Sequence, residues 1–156
     1  MKRAVFLDRD GVISANIWRK NQWRAPINFE EFYLLPDIAN SIHKLKEMGF
    51  FCIVVTNQPE VGSGEISESE LLKMHDFIIK STKIDDIFAC THIKIENCHC
   101  RKPKPGLIYM AADKWEIDPT KSYMVGDRFS DIKAAKAAGC QPILMISKAT
   151  NEDGFE

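Results

Sequence analysis

The chain has 156 residues, 45% of them hydrophobic and 28% charged, with 21 basic and 22 acidic side chains for a formal net charge of −1. Length and composition fit one globular domain, expected to span residues 1–156 and to bury a core without staples. The near balance of charge gives no electrostatic reason for a nucleic-acid or membrane partner, and no stretch approaches the ~20 apolar residues of a membrane span. With no signal-peptide pattern before the first strand, a cytoplasmic, monomeric protein is expected.

The first apolar run, Ala4-Val5-Phe6-Leu7, ends abruptly in Asp8-Arg9-Asp10-Gly11. That reads as a buried strand whose carboxyl end opens onto solvent, where open α/β sheets place their ligands. Two aspartates two residues apart on extended chain point the same way, and such a pair calls for a divalent metal or an acid/base partnership. A solvated turn is the other reading of the hexapeptide alone. From Val12 to Leu35 no period is sustained. The run Trp18-Arg19-Lys20-Asn21-Gln22-Trp23-Arg24 reads either as a flap bringing positive charge over the site or as surface aromatics packed on neighbouring loops.

Asp37 is a candidate helix cap, followed by Ile38, Ile42, Leu45 and Met48 at helical spacing, with Gly49 as the stop. Phe50 to Val55 is a continuous apolar, β-branched run, the pattern of a strand covered on both faces, and it ends in the polar turn Thr56-Asn57-Gln58-Pro59. Ser67 and Glu70 form a capping box ahead of Leu71, Met74, Phe77 and Ile78. A third strand, Ile87–Cys90, leads into a Cys/His cluster and the basic loop Arg101-Lys102-Pro103-Lys104-Pro105-Gly106. Leu107, Met110, Ala111 and Trp115 mark a helix. Ser122–Val125 is a fourth strand running into Gly126-Asp127-Arg128-Phe129-Ser130-Asp131. A helix over about 130–138 closes at Gly139, residues 142–146 make a fifth strand, and 147–156 read as a frayed tail.

Strands alternating with helices predict an α/β fold: a doubly wound parallel sheet of five strands joined by right-handed crossovers. Every strand's carboxyl end then lies on one edge, so Asp8, Asp10, Thr56, Lys102 and Asp127 converge. Three carboxylates suit Mg²⁺, a hard ion bound through oxygen. A hydroxyl, turn amides and a lysine suit phosphate oxygens. A nucleophilic carboxylate, a neighbouring carboxyl group, one metal and one lysine together describe phosphoryl transfer through an aspartyl-phosphate.

Five cysteines in a chain without an export signal argue against disulfides. Cys90, His92, Cys98 and Cys100 have the donors for a closed, structural Zn²⁺ site on a loop over about 90–100. His99 is the alternative imidazole, although alternation along extended chain points it away from Cys98 and Cys100. Buried free cysteines are the lesser alternative for the cluster, since such clustering usually means metal. Cys52 and Cys140, in or beside apolar strands, read as core.

These segments, Phe-Leu-Asp8-Arg-Asp10-Gly11, Val-Val-Thr56-Asn57-Gln58, Arg101-Lys102-Pro-Lys-Pro-Gly and Val-Gly-Asp127-Arg-Phe-Ser-Asp131, resemble in order the four motifs of the haloacid dehalogenase superfamily of phosphatases, over roughly residues 3 to 146. The resemblance implies that Asp8 is the nucleophile and Asp10 the acid and base. It implies that Asp8, the Asp10 carbonyl and Asp127 hold Mg²⁺, and that Thr56, the Asn57 amide and Lys102 bind the transferring phosphoryl group. Asp131 would orient Lys102 or a metal-bound water, or serve only as a helix-start carboxylate. It also implies the strand order 5-4-1-2-3.

A zinc loop directly before Arg101-Lys102 is similar to that of the small heptose-bisphosphate and histidinol-phosphate phosphatases of this superfamily. In that group Arg101 would reach the substrate, and the connections leave no room for a cap domain, so a small phosphorylated metabolite is the expected partner. The turn from Gln58 to Gly64 is nearer the heptose branch, with Ser63 where that branch usually has an arginine. The five-residue gap between His92 and Cys98 is nearer the histidinol-phosphate branch. A zinc-braced binding domain without turnover is the reading from another class.

Overall fold

The computed structural model describes residues 1–150. In chain order they form β1 (Ala4–Leu7), β2 (Ile17–Arg19), β3 (Gln22–Arg24), α1 (Ile38–Glu47), β4 (Phe51–Asn57), α2 (Pro59–Gly62), α3 (Glu68–Thr82), β5 (Asp86–Cys90), α4 (Gly106–Trp115), β6 (Tyr123–Gly126), α5 (Phe129–Ala138) and β7 (Gln141–Leu144). Five strands make one parallel sheet in the order β5-β4-β1-β6-β7. The hairpin β2–β3 adds two strands to the expected count. Once they are set aside, the expected order 5-4-1-2-3 is this sheet read from its other edge.

The central strands read as continuous apolar runs because each face is covered by helices. Alternation divides their side chains. Ala4, Phe6, Ile53 and Val55 pack on one face with Leu107, Ile108 and Ala111 of α4 and Ala134, Ala135 and Ala138 of α5. Val5, Leu7, Cys52 and Val54 pack on the other with Ile42 of α1 and Met74 and Ile78 of α3. Cys52 and Cys140 belong to these layers. Register places Phe6 between Ile53 and Met124, so the carboxyl ends of β1, β4 and β6 lie on one edge, with β4 running on three residues past the partner of Leu7.

Several local readings are corrected. Asp37 precedes α1 but sits at φ 62 with no side-chain cap bond. Ser67 caps α3 by accepting from the Glu70 amide, whereas the Glu70 carboxylate accepts from Phe29 N instead of closing the box. Met48 and Met110 are exposed, and Ile108 takes the core position expected of Met110. Phe77, partly exposed, packs edge-on against Phe29 and Phe32. α5 starts at Phe129 and β7 ends at Leu144. Residues 147–150 are not frayed, since Ala149 and Thr150 are buried and the Ser147 hydroxyl donates to Asp127. The remainder of the expected tail, 151–156, lies outside the described residues.

The stretch without a period contains a tight hairpin. Lys20 and Asn21 both have positive φ, 51 and 57, which suits the two-residue turn whose twist matches paired strands. Trp18 and Trp23 face each other across it, ring centroids 5.1 Å apart. Among the described residues, no helix is long and apolar enough to cross a membrane.

Candidate active site

The carboxyl ends of β1, β4 and β6 open into a cleft of about 460 Å³, lined by Asp8, Asp10, Asn57, Lys102 and Asp131, with Trp23 and Arg24 of the hairpin and Arg101 as walls. Thr56 is not on the lining. It is buried directly beneath, where its Oγ1 accepts from Gln58 Nε2 at 2.9 Å.

Lys102 is buried at the floor. Its Nζ donates to Asp8 Oδ1 at 2.9 Å, to Asp131 Oδ1 at 2.6 Å and to the Val55 carbonyl at 2.9 Å. Burial alone would lower its pKa, but Asp131 and Asp8 outweigh that and keep the ammonium charged. The loop carrying it is pinned by Asn57, whose amide side chain both donates to the Lys102 carbonyl at 3.1 Å and accepts from the Lys102 amide at 3.0 Å. The side chain of Asn57 therefore holds the loop, leaving its main chain for a ligand. Asp131 does both things weighed for it: its other oxygen accepts from the Arg128 amide at 3.1 Å, closing the start of α5.

Asp8, Asp127 and Asp131 can each place an oxygen within 4.8 Å of the others. Burial pushes the Asp8 carboxyl up, Asp131 adds to this, and Lys102 opposes it. Asp127 is raised too, chiefly by burial and against its bond from Ser147. Its Oδ1 is buried with no hydrogen-bond partner. An orphaned carboxylate oxygen beside a second buried carboxylate fits a hard divalent cation. Gly11 makes room for this. At φ +90 it takes a conformation L side chains avoid, and a Cβ there would lie 2.0 Å from Asp127 Oδ2.

Asp10 stands beside this group and is gripped by four donors. Arg9 Nε and a terminal nitrogen reach it at 3.0 and 3.2 Å, Ser14 Oγ at 3.2 Å and Gln58 Nε2 at 2.9 Å. Arg9 is itself fully buried, lies over the Phe32 ring and is 3.2 Å from His75 Nε2. Sequence reasoning passed over Arg9, Ser14, Gln58 and His75. Arg9 and Gln58 sit inside the quoted motifs, but nothing in a linear reading tells a fully buried arginine from one in a solvated turn.

The second cluster is as expected in composition. Cys90, His92, Cys98 and Cys100 bring one donor atom each within 4.8 Å, and His92 is the imidazole of the set. Cys90 Sγ and Cys100 Sγ lie 3.6 and 3.7 Å from Cys98 Sγ, with His92 Nδ1 at 3.3 and 3.2 Å from Cys90 and Cys100. Four donors at about 2.3 Å from a tetrahedral zinc have edges of ~3.8 Å between sulfurs, so the donor set fits that ion.

A family model described as haloacid dehalogenase-like hydrolase matches residues 4–139. The chain belongs to the haloacid dehalogenase-like hydrolases. Among curated members, the D-glycero-beta-D-manno-heptose-1,7-bisphosphate 7-phosphatase of Rhodopseudomonas palustris is 36% identical over 87% of this chain and 79% of its own length. That of Pasteurella multocida is 30% identical over 99% and 88%. The magnesium- and phosphate-bound D,D-heptose 1,7-bisphosphate phosphatase of B. bronchiseptica superposes with a TM-score of 0.84 at 29% identity, over 98% of this chain and 85% of that one. In this haloacid dehalogenase-like hydrolase the cleft is walled by the hairpin β2–β3 and by the loop that carries Arg101.

Proposed function

We propose that this hydrolase cleaves a phosphate monoester of a small sugar, heptose 1,7-bisphosphate at position 7 being the best-supported substrate, through a phospho-aspartate on Asp8. The observation that carries the reading is the convergence of Asp8, Lys102 and Asp131 beside the orphaned Asp127 oxygen in one polar cleft. Relatives aligned over most of the chain carry that activity in their names.

Asp8 attacks phosphorus through the carboxylate oxygen not engaged by Lys102, and the bond to the leaving oxygen breaks with its electron pair. Asp10 gives that oxygen a proton, then takes one from the water that hydrolyses the phospho-aspartate and restores the Asp8 carboxylate. Lys102, the Asn57 amide and, after a small turn of its hydroxyl, Thr56 hold the phosphoryl oxygens. Arg101 contacts the substrate from the wall. Asp131 fixes the Lys102 ammonium, and Arg9 and Gln58 fix the Asp10 carboxylate. Asp8, Asp127 and the Asp10 carbonyl would hold Mg²⁺, which neutralises the charge gathered between carboxylates and phosphate. Cys90, His92, Cys98 and Cys100 would hold structural zinc, bracing the loop that carries Arg101 and Lys102.

The reading is tested by phosphate release with Mg²⁺ from heptose 1,7-bisphosphate, fructose 1,6-bisphosphate, histidinol phosphate and simple sugar monophosphates. The heptose ester should lead by about 100-fold in kcat/KM. Asp8→Asn should lose on the order of 10³-fold or more with its fold intact. Turnover persisting in that variant would overturn the assignment.

A further inference from the structure

The walls of the cleft carry basic side chains that form no ion pair with a carboxylate among the described residues. Lys102 answers Asp8 and Asp131, and Arg9 answers Asp10. Beyond these pairs the walls still present Arg24, Lys94 and Arg101 beside the carboxylate of Glu60. They come from the hairpin and from the zinc loop with its continuation, so they are a property of the cleft and not of one segment.

Arg24 differs from its neighbours. Arg19, on the paired strand, is taken up by Glu31. Arg24 instead has a terminal nitrogen donating to the neutral Gln22 Oε1 at 2.9 Å and a buried Nε with no partner. No carboxylate forms an ion pair with it among the described residues. A guanidinium held on one side, with its buried Nε–H unspent, is prepared for a planar or tetrahedral oxyanion. Its carrier is rigid for a surface element: the tight turn, the Trp18–Trp23 edge contact and a bond from Arg128 to the Trp23 carbonyl at 3.4 Å all fix the hairpin. The turn after β4 supplies nothing comparable, because Ser63 is exposed, uncharged and bonded to the Glu60 carbonyl.

We propose that the cleft contains a second anion subsite, built on Arg24 of the hairpin with Lys94 of the zinc loop as further donor, which takes a second phosphate of the substrate that is not cleaved. The hairpin, rather than the turn after β4, then selects bis-phosphorylated sugars. This rests on the phosphatase reading above.

The experiment compares kcat/KM with Mg²⁺ on heptose 1,7-bisphosphate and on heptose 7-phosphate, which lose the same phosphate and differ only in the second one. Wild type should prefer the bisphosphate by about 100-fold. Arg24→Gln should cut kcat/KM on the bisphosphate by about 30-fold, through KM, and leave the monophosphate within about threefold. Arg24→Lys should recover part of the loss. Lys94→Gln, on a separate segment, should act in the same direction by less, which keeps the test valid if the hairpin variants disturb the Trp18–Trp23 near-ultraviolet signal. Equal losses on both esters, no loss on the bisphosphate, or a wild type that hydrolyses both without preference would overturn the subsite while leaving a phosphatase. No release from either ester or from the wider panel would overturn both readings.

Discussion

Asp131 carries two duties through two oxygens, one to the Lys102 ammonium and one to the Arg128 amide. Asp131→Asn keeps an acceptor for the helix start but removes the charge facing Lys102. Its kcat should fall by roughly 10- to 100-fold with KM and melting temperature little changed, whereas Asp131→Ala should also lose about 1 kcal/mol of stability with the cap. Steady-state kinetics and thermal melts of the two variants separate the duties, and equal stability losses would mean the cap is not retained by asparagine. At this scale the motif residues were legible because the chemistry needs those types at strand ends. Their supports were not: Gln58 bridges Thr56 and Asp10, and Ser147 reaches Asp127, only because the chain leaving β4 and β7 on the same edge of the sheet folds back onto the site. For Gly11 only the alternative reading, a solvated turn, offered a reason from sequence, whereas the close approach of Asp127 is as strong a reason for it as its φ.

Among the elements, the grouping of Cys90, His92, Cys98 and Cys100 was readable because three thiols and an imidazole crowded into one short stretch have few other uses. In the metal-free cluster the thiols are far apart in acidity. Burial first, then the Cys100 thiol, pushes Cys90 up to about 12, while for Cys98 burial is the largest single effect and acts upward, but the Arg101 amide, the Cys90 thiol and the Cys100 amide and thiol together bring it down to about 6. Only a bound cation would hold all three as thiolates. Cys98→Ser should therefore lower zinc content by metal analysis and lower the melting temperature, and the surviving folded enzyme should lose more in KM than in kcat as Arg101 and Lys94 loosen. Unchanged zinc content would refute the site. The hairpin β2–β3 was not readable: Lys20-Asn21 lacks the glycine that usually marks such a turn, and two three-residue strands are too short to show alternation. The short helix α2 was likewise hidden, since Pro59-Glu60-Val61-Gly62 has the composition of a turn.

At the scale of the whole molecule the sheet was legible because βαβ handedness leaves few arrangements. What joins the halves through the site was not, above all the buried pair Arg9 and His75, which ties β1 to α3. His75 is lowered from 6.5 to about 4, first by burial and then by the Arg9 charge. The unfolded chain therefore binds a proton between those values that the folded chain refuses, and stability rises with pH across that window. Acidifying from pH 7 to pH 5 should remove about 2 kcal/mol through this one group, on the linkage relation. The raised carboxyls of Asp8 and Asp127 act with the opposite sign in metal-free protein, so the comparison belongs in saturating Mg²⁺, where the proposed ligation would keep them ionised in both variants. His75→Gln preserves an acceptor for Arg9 without a titrating group. Urea unfolding at pH 7 and pH 5 should show the acid loss shrinking by about that amount in the variant, while any cost at pH 7 measures packing alone. An identical acid loss in both proteins would mean that His75 already titrates near its ordinary value and that Arg9 is not held against a neutral imidazole.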